Sequence, residues 1–261
     1  MQFTEIGKTD GKTLLLLPGT GCTWQTNFYN VQNELSEKYH LICVNYDGFE
    51  GDREKPFTDM ITVTEKIEKY IIEHHNGKLN GAYGSSLGGS FVGLLIQRRN
   101  VHINHGFIGS SDLDQGNKVI AKIATLIIGR SIASAAKNQK KKEKLKTKLQ
   151  QSFGMETNKE TSDFMDMFAD GLISLHPKTV TNEFYSDYIT PLQNNIHADG
   201  TKVHIIYALK MGAKYEKRYL KHFQNPDIRR FDMQHEAWLF EEKWKIPVLE
   251  TIYECMQEVQ T

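Results

Sequence analysis

The stretch Gly81-Ala82-Tyr83-Gly84-Ser85-Ser86-Leu87-Gly88-Gly89 decides how this 261-residue chain is read. Gly81 to Tyr83 is a short strand, and it runs straight into Gly84-Ser85-Ser86-Leu87-Gly88, a G-x-S-x-G turn. Phe91, Val92, Leu94, Leu95 and Ile96 supply the apolar residues of a helix behind it. Glycines two before and two after a serine let a tight, strained turn lift the hydroxyl above the sheet edge without side chains colliding beneath it. The N–H of Leu87 then stands at a helix N-terminus, where it can hold an oxyanion. The motif alone is common by chance. Its place between strand and helix gives it weight.

Working outward, Leu14 to Leu17 is apolar at every position, as a strand buried on both faces of a parallel sheet should be. It ends at Pro18-Gly19-Thr20-Gly21, a loop whose Thr20 amide is the candidate for a second oxyanion donor. The plainer reading makes Thr20 or Thr23 an N-cap. Trp24, Phe28, Val31, Leu35 and Tyr39 step by helical intervals and predict one helix. Strands are expected at His40 to Tyr46, Ile103 to Ile108, Val203 to Tyr207 and Ile228 to Phe231. Helices are expected around Ile61 to His74, from Tyr215 to Phe223, and at Val248, Ile252, Cys255 and Val259. Between about 117 and 191 only helical spacing is present: Leu145, Leu149 and Phe153, then Phe164, Met167, Phe168 and Leu172. The expected fold class is therefore α/β: a mostly parallel sheet flanked by helices, interrupted by a helical insertion.

A histidine base should follow the last strand and precede the last helix. His235, in Phe231-Asp-Met-Gln-His235-Glu-Ala-Trp, has that position and comes after Ser86 in chain order. This succession of strand, loop, strand, nucleophile turn, helical insertion, two strands and late histidine resembles the α/β-hydrolase superfamily over nearly the whole chain. Asn45-Tyr-Asp47-Gly48-Phe49-Glu50-Gly51 is also similar to a D-x-x-G-like loop of that family. The resemblance implies a core of residues 1–116 and 192–261, with 117–191 as a helical cap. It implies Ser86 as nucleophile and His235 as base of a Ser-His-acid site cleaving a small ester, as a carboxylesterase or lipase-like enzyme does, with an amide as the alternative substrate. Only thirteen residues precede the Leu14 strand, so the family's N-terminal hairpin should be reduced. The acid usually follows the strand before the last, but Tyr207-Ala-Leu-Lys-Met-Gly212 has no carboxylate. Some members carry it one strand after the nucleophile, where Asp112 and Asp114 stand; Asp112, nearer the strand, is the expected acid. Glu216 is a weaker candidate because it falls in a helix.

Composition excludes several other classes. Thirty-two Lys+Arg balance thirty-two Asp+Glu, so no global field attracts nucleic acid or an anionic bilayer, and any charge effect must be local. Three scattered cysteines, Cys22, Cys43 and Cys255, form neither a zinc ribbon nor a disulfide framework, and reduced thiols fit a cytoplasmic protein. The N-terminal residues lack a leader pattern and no apolar run is long enough to span a bilayer, so stable membrane insertion is not expected. The lysines at 137, 140, 141, 142, 144, 146 and 148 read as a solvated cap helix, or alternatively as a lid touching anionic lipid or substrate. His102 and His105 are three apart near a strand, with no acidic or thiol cluster to complete a metal site. No metal or organic cofactor is expected, and the partner is a small-molecule substrate. Two other classes remain: a non-catalytic binding protein on the same fold, and a dinucleotide-dependent oxidoreductase. The second rests on Gly19-Thr-Gly21, where Trp24 occupies the place of the third glycine.

Overall fold

The computed structural model describes residues 1–49, 55–113, 116–152 and 155–258. Seven strands form one sheet: β1 (Gln2–Gly7), β2 (Thr13–Leu17), β3 (His40–Asn45), β4 (Lys78–Gly84), β5 (His102–Ile108), β6 (Lys202–Ala208) and β7 (Asp227–Phe231). Their spatial order is β1-β3-β2-β4-β5-β6-β7. Every neighbouring pair is parallel except β1 with β3, which pair antiparallel from Gln2 opposite Asn45 to Gly7 opposite His40. The reduced N-terminal hairpin is thus a single strand, pinned where Phe3 stacks on Tyr70 with ring centroids 3.7 Å apart.

Alternate residues of the central strands divide the interior in two. Leu14, Leu16, Cys43, Tyr83, Phe107 and Ile206 face one layer, whereas Leu15, Leu17, Ile42, Ala82, Ile108 and Ile205 face the other. All four leucines of Leu14–Leu17 are fully buried, because a parallel strand covered by helices on both sides has no wet face. Each contributes roughly 1.5–3 kcal/mol by leaving water.

The helices are α1 (Trp24–Asn27), α2 (Gln32–Ser36), α3 (Met60–His75), α4 (Leu87–Arg98), α5 (Lys118–Ala135), α6 (Gln139–Ser152), α7 (Lys159–Ser174), α8 (Pro177–Ile189), α9 (Ala213–His222) and α10 (Glu242–Gln257). The single helix expected over Trp24 to Tyr39 is broken into α1 and α2. Its apolar period survives, since Trp24, Phe28, Val31, Leu35 and Tyr39 are all buried. The break follows Asn27, whose side chain turns away to accept the Gly19 N–H at 2.6 Å, and Phe28 closes α1. Helices α5 to α8 occupy the chain between β5 and β6, with no strand among the described residues of that segment. Phe153, Val259, Asp114 and the Glu50-Gly51 end of the D-x-x-G-like loop lie outside the described residues.

Candidate active site

Strand β4 ends at Gly84 and α4 begins at Leu87, so only Ser85 and Ser86 make the corner. Ser86 adopts φ 51° and ψ −112°, a left-handed conformation that costs a side-chain-bearing residue about 1–3 kcal/mol. Glycine is required on both sides. A Cβ on Gly84 would overlap the Gly88 carbonyl, and one on Gly88 would overlap the Leu17 carbonyl. The strained corner has one visible result: from 81 to 96 every residue is buried except Ser86. Its hydroxyl is not spent on capping α4.

Two backbone donors stand beside it. Leu87 opens α4, so its N–H has no partner within the helix. The loop after β2 packs against the corner so closely that a Cβ added to Gly19 would lie 3.4 Å from the Cβ of Ser86. Among the described residues neither the Leu87 N–H nor the Thr20 N–H reaches a protein acceptor. The remaining loop donors are engaged: Gly19 N–H on Asn27, Gly21 N–H on Glu183 at 2.9 Å, and Cys22 N–H on the Gly19 carbonyl at 3.2 Å. Thr23, rather than Thr20, is the N-cap of α1. That helix has only four residues, too short to supply the dipole a dinucleotide pyrophosphate needs.

His235 lies in the turn after β7, partly buried, and lines the same cleft as Ser86, Gly19 and Thr20. The cleft is partly open to solvent, and its walls are mainly apolar: Met155 from the segment between α6 and α7, Phe164 and Phe168 from α7, Phe184 from α8, then Leu239 and Phe240. Burial lowers the His235 pKa from its ordinary value, and the charge of Glu236 opposes that shift. A neutral imidazole can accept a proton.

Glu236 is buried in the cleft wall in a left-handed turn, φ 54°. Its carboxylate accepts hydrogen bonds from the Ser110 N–H, from the Tyr83 hydroxyl at 2.7 Å and from Trp238 Nε1 at 3.2 Å. In return its own N–H donates to Ser110 Oγ at 3.1 Å. These contacts fasten the histidine turn to the end of β5. Asp112 stands near that end, exposed, with its backbone carbonyl receiving Arg218 Nη1 at 3.3 Å; the described lining of the cleft does not include it. Glu216 lies in the first turn of α9 and pairs with Arg230.

A second buried carboxyl was not singled out by any sequence pattern. Glu183 of α8 is fully buried, and burial pushes its pKa up to about 8. Only a helix crossing over the Gly19–Cys22 loop brings it there, which no local spacing encodes. Glu236 did carry a signal, its adjacency to His235, but a turn residue's direction depends on a left-handed φ that sequence spacing does not reveal.

At the opposite end of the sheet, ligand atoms of His204, Asp227 and Cys255 lie within 4.8 Å of one another. His204 Nδ1 is 2.9 Å from Asp227, its Nε2 is 3.2 Å from His105 Nδ1, and Arg229 Nε donates to the same Asp227 oxygen at 2.8 Å. Both imidazole nitrogens are engaged and a guanidinium occupies the carboxylate, so the group reads as a partly buried polar network joining β5, β6 and β7.

Neither the protein-family models nor the curated proteins compared with the sequence give a match. Solved structures do. A chain from Desulfitobacterium hafniense assigned to the alpha/beta hydrolase family superposes with a TM-score of 0.77 at 16% identity, covering 97% of this chain and 100% of that one. A hydrolase from Pseudomonas aeruginosa gives 0.75 at 11% identity, covering 98% and 94%. An esterase from Exiguobacterium antarcticum gives 0.70 at 14%, covering 98% and 95%. With its strand order, its single antiparallel edge and its strained serine corner between β4 and α4, the chain has the α/β-hydrolase fold.

Proposed function

We propose that the chain is a serine hydrolase acting on a small ester with an apolar acyl or alkyl group. The observation that carries the reading is Ser86, lifted out of a buried strand-helix corner into the cleft that His235 also lines. In this reading Ser86 Oγ attacks the ester carbonyl carbon as His235 takes its proton. The resulting oxyanion accepts from the N–H groups of Leu87 and Thr20, and collapse expels the alcohol, which takes the proton back from His235. Water, deprotonated by His235, then releases the acid from Ser86.

Helices α5 to α8 serve as a cap in this proposal. Phe164, Phe168 and Phe184 from that segment supply an apolar wall and exclude water from the reacting carbonyl. For the supporting carboxylate we favour Glu236, which lies in the cleft wall beside His235, over the sequence-expected Asp112. Its charge favours the imidazolium that forms during attack.

A fluorophosphonate label followed by peptide mapping tests the assignment. Modification of Ser86, abolished together with ester turnover in Ser86→Ala, supports it. Labelling of Ser85 or Ser90 instead overturns the nucleophile. Wild type that neither labels nor turns over any ester, yet binds a small apolar ligand in the cleft, makes the chain a binding protein.

A further inference from the structure

Helix α5 is packed inside out. The residues it buries are small or sparse, Ala121, Thr125, Ile132 and Ala135, and it lies against α8 closely enough that a Cβ on Gly129 would sit 2.7 Å from Thr181 Cγ2. Its large aliphatic side chains face outward instead. Val119, Ile120, Ile123, Leu126 and Ile127 are each 53–65% exposed and recur at the spacing of one helix face. A contiguous aliphatic stripe of this size on a protein surface marks an interaction site rather than scatter.

The surroundings of the stripe are cationic. Residues 118–152 carry ten Lys+Arg and a single acidic residue, Glu143, so the rest of this overall neutral chain carries an acidic excess. Lys142 and Lys146 are taken up by Asp170 and Asp166 of α7. The other eight, Lys118, Lys122, Arg130, Lys137, Lys140, Lys141, Lys144 and Lys148, are exposed and form no ion pair among the described residues. Arg130, Lys141, Lys144 and Lys148 share an open trough with Ile127 of the stripe. Cations therefore rim the aliphatic face rather than lying across the molecule from it.

We propose that the α5–α6 face docks reversibly on an anionic phospholipid surface, with Val119, Ile120, Ile123, Leu126 and Ile127 entering the headgroup-acyl boundary and the rim cations meeting lipid phosphates. Aliphatic insertion and attraction to anionic headgroups are the two contributions that hold interfacial helices. A second copy of the chain fits this face poorly, because pairing the stripes would set the two cationic rims against each other. Docking here is peripheral; no helix among the described residues is long and apolar enough to cross a membrane. The inference does not depend on the chemistry assigned to Ser86. It places α8, which packs on α5 and carries Phe184 of the cleft, next to the docked face.

The test is co-sedimentation of the full chain with phosphatidylcholine vesicles containing about 30% phosphatidylglycerol, against vesicles of phosphatidylcholine alone, in about 0.1 M salt. Partition onto the anionic vesicles should be at least about tenfold stronger and should weaken as salt is raised. The double variant I123E/I127E and the triple variant K141E/K144E/K148E should each lower it about tenfold or more while keeping the thermal transition of the wild type. Absence of partition, equal partition onto both vesicles, or wild-type partition by I123E/I127E overturns the proposal. So does a solution dimer that I123E/I127E converts to monomer, which would assign the face to a second copy.

Discussion

Glu183 of α8 accepts the backbone N–H of Gly21 at 2.9 Å, so a helix of the segment between β5 and β6 grips the loop beside Ser86. The other carboxyl oxygen of Glu183 is buried without a partner. The grip fixes the loop carrying the Thr20 N–H, and it leaves a buried acid group that resists ionisation.

A pH effect on stability follows from its sign. Glu183 has a folded pKa of about 8 against an ordinary value of 4.5, so the folded form binds a proton that the unfolded chain loses. This contribution is complete below pH 4.5 and is lost as pH rises through about 8, by linkage roughly 5 kcal/mol at most. Thermal melts of wild type should fall from pH 5 to pH 9 more steeply than those of Glu183→Gln. Parallel curves would show that Glu183 ionises freely in the folded state.

The corner around Ser86 should not tolerate side chains. Gly88→Ala drives a methyl into the Leu17 carbonyl and Gly84→Ala drives one into the Gly88 carbonyl, both backbone atoms that cannot turn aside. Each variant should lose about 1–3 kcal/mol in urea unfolding, and fluorophosphonate labelling of Ser86 should fall as the corner shifts. Full stability with full labelling would mean the backbone accommodates a Cβ there.

His235 should set the acid limb of kcat/KM. Burial lowers its pKa, so activity should persist below the pH at which an ordinary histidine is half protonated. The Glu236 charge raises that pKa, so Glu236→Gln should move the limb to lower pH and reduce kcat, whereas Asp112→Asn should leave the limb in place. A shift in Asp112→Asn alone would return the acid role to Asp112.

Phe184 should read the size of the substrate. It is a partly buried wall of the cleft, on α8. Phe184→Ala should raise KM for esters with long apolar acyl groups by about tenfold, the scale of one or two methylenes in an apolar pocket, with acetyl ester turnover kept. Equal effects on both ester sizes would remove α8 from specificity.

The elements that the sequence determined are those whose signal is local. Leu14–Leu17 had to be a doubly buried strand because four consecutive leucines leave no wet face, and Gly84-Ser85-Ser86-Leu87-Gly88 had to be a tight corner because only glycine avoids the carbonyls beneath it. The place of His235 in the cleft with Ser86 was legible from chain order, since a parallel sheet brings the end of β7 to the same edge as the end of β4. Tertiary structure decided what depends on distant segments meeting. The turn that splits Trp24 to Tyr39 accompanies the Asn27 bond to Gly19, which lies beyond helical reach. Glu236 turns back on Ser110, Tyr83 and Trp238 only because β4, β5 and the histidine turn converge. Glu183 reaches Gly21 across 162 positions of sequence, and the aliphatic stripe of α5 faces outward because α8 packs on the small-residue side; hydrophobic spacing gives the period of a helix but not which face its neighbours cover.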